Sequence, residues 1–186
     1  MYLGIKVNWL SAAVVGITAA SYLLAYTPLK RRSSLCTVLG AIPGALPPVA
    51  GWVAARGDFG VGAGVLFGIL FLWQLPHTLA IASVYRRDYA RADLRMLPVV
   101  DPEGGSTGRQ VVVNCLALLA AGLVPTLVGM AGPVYFLGAL MLGAVMLACG
   151  VGLAATGSAG NARRLVYASL MYLPALFVLM AVDKLG

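Results

Sequence analysis

Acidic residues are scarce in this chain: its 186 residues include six Asp and Glu against thirteen Lys and Arg, and charged residues make up only 10%. A soluble domain carries about 25%, so a water-soluble globule is excluded. Histidine occurs once, and the three cysteines, Cys36, Cys115 and Cys149, show no paired spacing. That excludes a His/Cys metal cluster and a disulfide framework, and leaves the cysteines as small packing residues. A polar linker, a low-complexity tract and an internal repeat are absent as well.

What is present is apolar: 61% of residues are hydrophobic, with a mean hydropathy of +0.92. A helix needs about 20 residues to cross a hydrocarbon core, and five intervals lack Asp, Glu, Lys and Arg: 7–29, 33–55, 59–85, 110–162 and 165–182. The fourth is too long for one span and carries Gly132-Pro133 near its middle, so it divides. The expected fold is an all-α polytopic membrane protein. It is one membrane domain over 1–186, with six helices near 8–29, 34–55, 60–85, 110–130, 134–155 and 165–182.

The cations gather at helix ends, which assigns the basic excess to topology rather than to nucleic acid. The loops after the first, third and fifth spans hold Lys30, Arg31, Arg32, Arg86, Arg87, Arg91, Arg95, Arg109, Arg163 and Arg164; the other side holds Lys6, Arg56 and Lys184. By the positive-inside rule, loops 30–33, 86–109 and 156–164 face the cytoplasm and both termini of this chain face outward. The expected location is a bacterial plasma (inner) membrane, crossed several times.

Two spans carry unusual residues. The second contains Gly40-Ala41-Ile42-Pro43-Gly44-Ala45-Leu46-Pro47-Pro48 and then Gly51-Trp52. So much Pro and Gly predicts an interrupted helix, and broken backbone at membrane depth is tolerated beside a cavity or where neighbours satisfy it. The third contains Trp73-Gln74-Leu75-Pro76-His77. Intramembrane polar residues are costly and rare, and a spacing of three predicts that Gln74 and His77 point into one cavity. Small residues in the fifth span, Gly138 and Gly143, would let neighbouring helices approach closely.

The loop that follows, from Tyr85 to Val100, mixes arginines with Asp88 and Asp93. It reads either as a solvated cytoplasmic loop or as a site where carboxylates share Mg²⁺ with a substrate phosphate while arginines hold the phosphate oxygens. Tyr26-Thr27-Pro28-Leu29-Lys30-Arg31-Arg32 ends the first span on the same side, so both loops are placed to close on one anion.

Taken in order, the Tyr26–Arg31 block, the Gly40–Trp52 block, Trp73-Gln74-Leu75-Pro76-His77, Asp88-Tyr89 and Met96-Leu97-Pro98-Val99 resemble the protoheme IX farnesyltransferase branch of the intramembrane aromatic prenyltransferases, the UbiA-type superfamily. The resemblance implies a nine-helix membrane enzyme with two acidic cytoplasmic loops that bind Mg²⁺ and an isoprenyl diphosphate. Its substrates would be farnesyl diphosphate and heme b, and its product heme O for terminal oxidase assembly. The lipid bilayer and heme A synthase or oxidase assembly factors are the other implied partners; no nucleic acid is. Carried over by residue, Asp88 would ligate Mg²⁺–diphosphate, with Asp93 a further candidate, and Lys30 and Arg31 would hold diphosphate oxygens. Tyr26, Trp73, Gln74, His77, Arg87 and Tyr89 would meet the substrates, with His77 a candidate axial ligand to heme iron.

Asp93 stands where such proteins usually have glycine, and Cys36 lies near a usual asparagine. The six spans would correspond to the last six of nine, so the first acidic motif is expected upstream of Met1 and little or no turnover is expected from this chain alone. Two other readings are a prenyltransferase for a quinone or chlorin ring, against which the Trp73–His77 block argues, and a transporter or non-catalytic heme- or lipid-binding membrane protein.

Overall fold

The computed structural model describes residues 7–30 and 33–184. Six helices are long and apolar enough to cross a membrane: α1 (Trp9–Leu29), α2 (Cys36–Arg56), α3 (Val61–Val84), α6 (Gly105–Leu127), α7 (Pro133–Thr156) and α8 (Ala159–Val182). The 86–104 loop folds two short helices, α4 (Arg86–Arg91) and α5 (Leu97–Val100). The chain is therefore an all-α, multi-pass membrane protein.

Helix ends follow local chemistry. Asn8 caps α1 by accepting from the Ser11 amide at 2.7 Å, and its own amide donates to the Val53 carbonyl at 2.9 Å, tying the start of α1 to the end of α2. Gly57, at φ 79, closes α2 in a left-handed conformation that glycine adopts without strain. The sixth span starts at Ala159, earlier than 165, because Ser158 caps it and Arg163 and Arg164 ride on a helix that continues beyond the apolar stretch. The fourth likewise starts at Gly105 rather than near 110; the Asp101 carboxylate accepts from the Thr107 amide at 2.7 Å in its first turn.

The expected interruption of the second span is corrected: α2 is unbroken with Pro43, Pro47 and Pro48 inside it. Helix-breaking residues are tolerated in membrane helices whose neighbours re-satisfy the freed backbone groups. The irregularity lies instead in α1, where Ser21–Tyr26 widens into a π-helical turn. Pro28 offers no N–H to the carbonyl one turn back and crowds it, and a π-turn just before it absorbs that conflict.

Packing divides the helices into two sets. Helices α3, α6, α7 and α8 form a closed ring in which each packs on two others. Its core holds Ile69, Leu118, Tyr135, Met146, Leu165, Tyr172 and Leu176, all almost fully buried. Tyr135 donates to the Gly122 carbonyl at 2.8 Å, and the Asp183 carboxylate accepts from the Tyr135 amide at 2.7 Å. Gly143 lets α7 approach Leu119, and Gly138 lets it approach Leu179. Helices α1 and α2 are added outside this ring: α2 lies on α3, and α1 lies on α2. The three cysteines are free, Cys36 and Cys115 being buried.

Candidate functional site

Between α1, α2 and α3 lies a cavity of about 640 Å³. Thr18, Tyr22 and Tyr26 line it from α1, Thr37, Gly40 and Gly44 from α2, and Gln74 and Thr78 from α3; Met96 lines it from the loop end. The size is that of a pocket for one drug-sized ligand, and the wall is mainly apolar with a few polar groups, as such pockets are.

Two glycines build this wall. The Tyr26 ring lies against the backbone of Gly40, where an added Cβ would stand 2.7 Å from Tyr26 Cδ2. One turn on, the side-chain amide of Gln74 occupies the place where a Cβ on Gly44 would be. From there Gln74 Nε2 donates to the Leu70 carbonyl at 3.1 Å and reaches the Ala41 carbonyl at 3.4 Å. The π-turn of α1 carries both tyrosines, with ring centroids 5.1 Å apart. Thr18 gives its proton to the Val14 carbonyl at 2.8 Å. Thr37 Oγ1, by contrast, is buried without a hydrogen-bond partner, although its residue lines the cavity. A buried hydroxyl left unsatisfied costs about 1–3 kcal/mol, so Thr37 carries an unused donor beside the cavity.

The loop end of the cavity is charged. Lys30 Nζ stands 5.9 Å from the centre of the Tyr26 ring, and the Lys30 carbonyl accepts from the Arg95 amide at 3.2 Å, so the end of α1 meets the 86–96 loop. Tyr26, Leu29, Tyr89 and Leu94 pack around buried Cys36, Ala82 and Met96. Asp88 is exposed on α4 and pairs with Arg91 at 3.6 Å; Arg87 is also exposed. Asp93 follows in a left-handed turn, at φ 53. That conformation suits glycine best and aspartate tolerably, which is the physical sense of a glycine at this place. Arg31 lies outside the described residues. Among the described residues no group of three or more His, Cys, Asp or Glu is placed to hold a metal ion.

One expectation is corrected here: Gln74 and His77 do not share the cavity. Gln74 lines it, whereas Trp73 and His77 turn to α8, with Trp73 Nε1 donating to the Ser169 carbonyl at 2.8 Å. The His77 ring stacks on Trp73 at 4.7 Å, and its Nδ1 lies 2.7 Å from Ser169 Oγ. Ser169 donates its single proton to the Val166 carbonyl at 2.6 Å, which leaves His77 Nδ1 as the donor of that pair. Residues three apart on a helix differ by about 60° in direction, and the α2–α8 boundary falls within that angle. Thr18, Tyr22 and Thr37 were not foreseen; the available signal was Tyr22 one turn before Tyr26, and a threonine at the start of an apolar helix.

These features define a class: a multi-pass helical membrane protein with an apolar, aromatic-rimmed cavity that opens beside basic and acidic loops, suited to a long apolar ligand with an anionic end. The chain belongs to the UbiA prenyltransferase family, whose model matches residues 1–180. It is 50% identical over 184 residues to a protoheme IX farnesyltransferase of Solibacter usitatus, covering 99% of this chain and 63% of that protein. It is 47% identical over 190 residues to one of Koribacter versatilis, covering 98% and 61%, and 42% identical over 162 residues to one of Salinibacter ruber, covering 87% and 57%. The chain thus spans about three-fifths of the length of the curated relatives it matches. No solved structure matches it.

Proposed function

We propose that this chain serves heme O synthesis, the transfer of a farnesyl group from farnesyl diphosphate to a vinyl side chain of heme b, in a bacterial plasma membrane with the 86–109 loop in the cytoplasm. The observation that carries the reading is the α1–α2–α3 cavity, whose apolar wall ends at Tyr26, Lys30 and the Asp88 loop. Identity of 50% to a protein of that name supports it.

In the reaction the C–O bond to diphosphate breaks, and its electron pair leaves with the diphosphate. The vinyl π-electrons attack the allylic cation to form a C–C bond, and water adds to the new cation with loss of a proton, giving a hydroxyethylfarnesyl group. The Tyr22 and Tyr26 ring faces stabilise an allylic cation by cation–π attraction, and the apolar wall excludes early water. Lys30, with Arg31 beside it in sequence, holds diphosphate oxygens.

An Mg²⁺ ion commonly takes one or two carboxylates and completes its shell with substrate phosphate and water. The exposed carboxylate of Asp88 fits one such position, and magnesium would supply neutralisation of the departing diphosphate charge. Asp93 is the second candidate ligand, but its turn conformation already accounts for an unusual residue there. Gln74 meets substrate from the cavity wall, and Arg87 and Tyr89 from the loop. Axial ligation of heme iron by His77 would use Nε2, since Nδ1 is engaged with Ser169. Trp73 would then support that ring by stacking.

The test uses the chain in lipid nanodiscs with farnesyl diphosphate, Mg²⁺ and heme b. Saturable binding of both substrates is expected, with farnesyl diphosphate affinity falling about tenfold in Asp88→Asn and in Lys30→Gln and unchanged in Asp93→Gly. Binding of neither substrate overturns the reading, and saturable binding of a phenolic ring acid in place of heme b moves it to the quinone class. Turnover to heme O is expected to be weak, because the described residues offer one acidic loop. Unchanged heme affinity and heme spectrum in His77→Ala remove the axial role.

A further inference from the structure

A second cavity, of about 690 Å³, lies at the opposite end of the helices and plays no part in the proposed reaction. Trp52, Ala55 and Arg56 at the end of α2 line it, with Phe177, Met180 and Ala181 at the end of α8 and Lys184 just beyond; Leu66 of α3 and Gly129 and Met130 between α6 and α7 complete the lining. The cleft is thus apolar along its depth and doubly basic at its mouth. Arg56 and Lys184 are two of the three cations that the sequence places on that side of the membrane.

Neither cation has a carboxylate partner among the described residues, where the Asp88–Arg91 pair is the one ion pair. The nearest acid in sequence to Lys184 is turned away: Asp183 accepts from the Tyr135 amide at 2.7 Å, and its carbonyl accepts from the Gly132 amide at 2.9 Å. Arg56 is held over the Trp52 ring, 5.1 Å from its centroid. Arg56 is also favoured by the C-terminal end of α2, but the two like charges on one rim are left without a counter-charge. Basic side chains over an apolar cleft between membrane helices match the two parts of an anionic lipid: charge for the headgroup, and hydrocarbon walls for the acyl chains.

We propose that this cleft binds an anionic phospholipid of the leaflet opposite the 86–109 loop, its phosphate between Arg56 and Lys184 and its acyl chains along Leu66, Phe177 and Met180. The proposal is independent of the farnesyl transfer reading, because no residue of the cleft lines the α1–α2–α3 cavity.

Native mass spectrometry of the full chain, released from detergent with equal amounts of phosphatidylglycerol and phosphatidylcholine, tests it. Preferential retention of phosphatidylglycerol is expected, by roughly twenty-fivefold if each cation contributes about a factor of five. Arg56→Gln with Lys184→Gln should abolish the preference, Arg56→Lys with Lys184→Arg should keep it, and Lys30→Gln, at the other end, should leave it unchanged. Both altered positions are exposed, and an unchanged circular dichroism spectrum confirms that the double variant folds. Equal retention of the two lipids, or a preference that survives the double Gln variant, overturns the proposal. So does displacement of the lipid by millimolar inorganic phosphate, which would mark a site for free anions instead.

Discussion

The ring of α3, α6, α7 and α8 and the pair α1–α2 are both built from apolar sequence, that of the ring the more apolar, and do different things with it. In the ring each helix meets two others, and large side chains such as Tyr135, Leu118 and Tyr172 vanish into one core. In the pair it is α1 that stands apart: 11% of its span is buried inside the protein against 22–33% for the other five helices, and Tyr22, Leu23 and Leu24 stay exposed. The ring spends its apolar surface on packing, and the pair leaves a 640 Å³ cavity beside its π-turn. Irregular backbone sits with the cavity and regular helix with the core, and each holds one buried hydroxyl without a partner, Thr37 beside the cavity and Tyr172 in the core. Core and cavity are thereby separated in space, and under the proposed function substitutions should separate stability from binding.

The strongest challenge is Gly44→Val. Its side chain would evict the Gln74 amide from its seat, break the hydrogen bonds to the Leu70 and Ala41 carbonyls and push Gln74 into the cavity. Binding of a fluorescent farnesyl diphosphate analogue should weaken about a hundredfold, because the displaced amide takes up ligand space. The two lost hydrogen bonds are internal to the protein, free or bound, and should lower stability by about 1 kcal/mol each. An unchanged affinity would dissociate the cavity from binding.

Leu118→Ala inverts the pattern. It empties a fully buried place in the ring, and large-to-small core substitutions cost about 2–5 kcal/mol. Unfolding in mixed micelles should show this loss while analogue affinity stays within twofold. Equal losses in both measurements would mean that ring and pair unfold and bind as one unit.

Thr37→Val is smaller and more discriminating. Its hydroxyl has no partner to lose, so stability should hold or rise slightly, whereas a ligand that uses the donor should bind about fivefold to tenfold more weakly. Loss of stability with full affinity would assign Thr37 to packing alone.

The smallest effect is a pH dependence at the start of α6. The Thr107 backbone N–H holds the Asp101 carboxyl below its ordinary value of 3.8. A depressed folded value means the contribution is complete above the unfolded value and disappears as pH falls through the folded one. Below about pH 4, the protection of the Thr107 amide relative to its intrinsic exchange rate at each pH should therefore fall, and Asp101→Asn should remove that pH dependence without altering the cavity. Relative protection that stays flat to about pH 2 would show that the cap adds nothing.

Much of the fold was legible in the residues. Asp, Glu, Lys and Arg mark where a helix cannot stay in hydrocarbon, so the spans follow from their positions. The ends were less legible: α8 reaches back to Ala159 because a helix carrying Arg163 and Arg164 need not stop where the hydrocarbon does. Proline content misled at α2, since Pro43, Pro47 and Pro48 act on hydrogen bonds that neighbouring helices make tolerable. Of the cavity wall, Tyr26 and Gln74 are singled out by their setting in the sequence. Thr18, Tyr22 and Thr37 escaped because a threonine in an apolar run looks alike whether or not its hydroxyl has a partner.

By itself the sequence determined membrane residence, the number of spans and the order of its motifs, because apolar run length and bilayer thickness are compared along one dimension. Only the tertiary structure decided direction around each helix axis. A helix apolar on all sides carries no stripe to say which face meets protein and which meets lipid. Trp73, Gln74 and His77 lie within about one turn, and it is the placement of α2 on one side and α8 on the other that sends Gln74 to the cavity and His77 to Ser169.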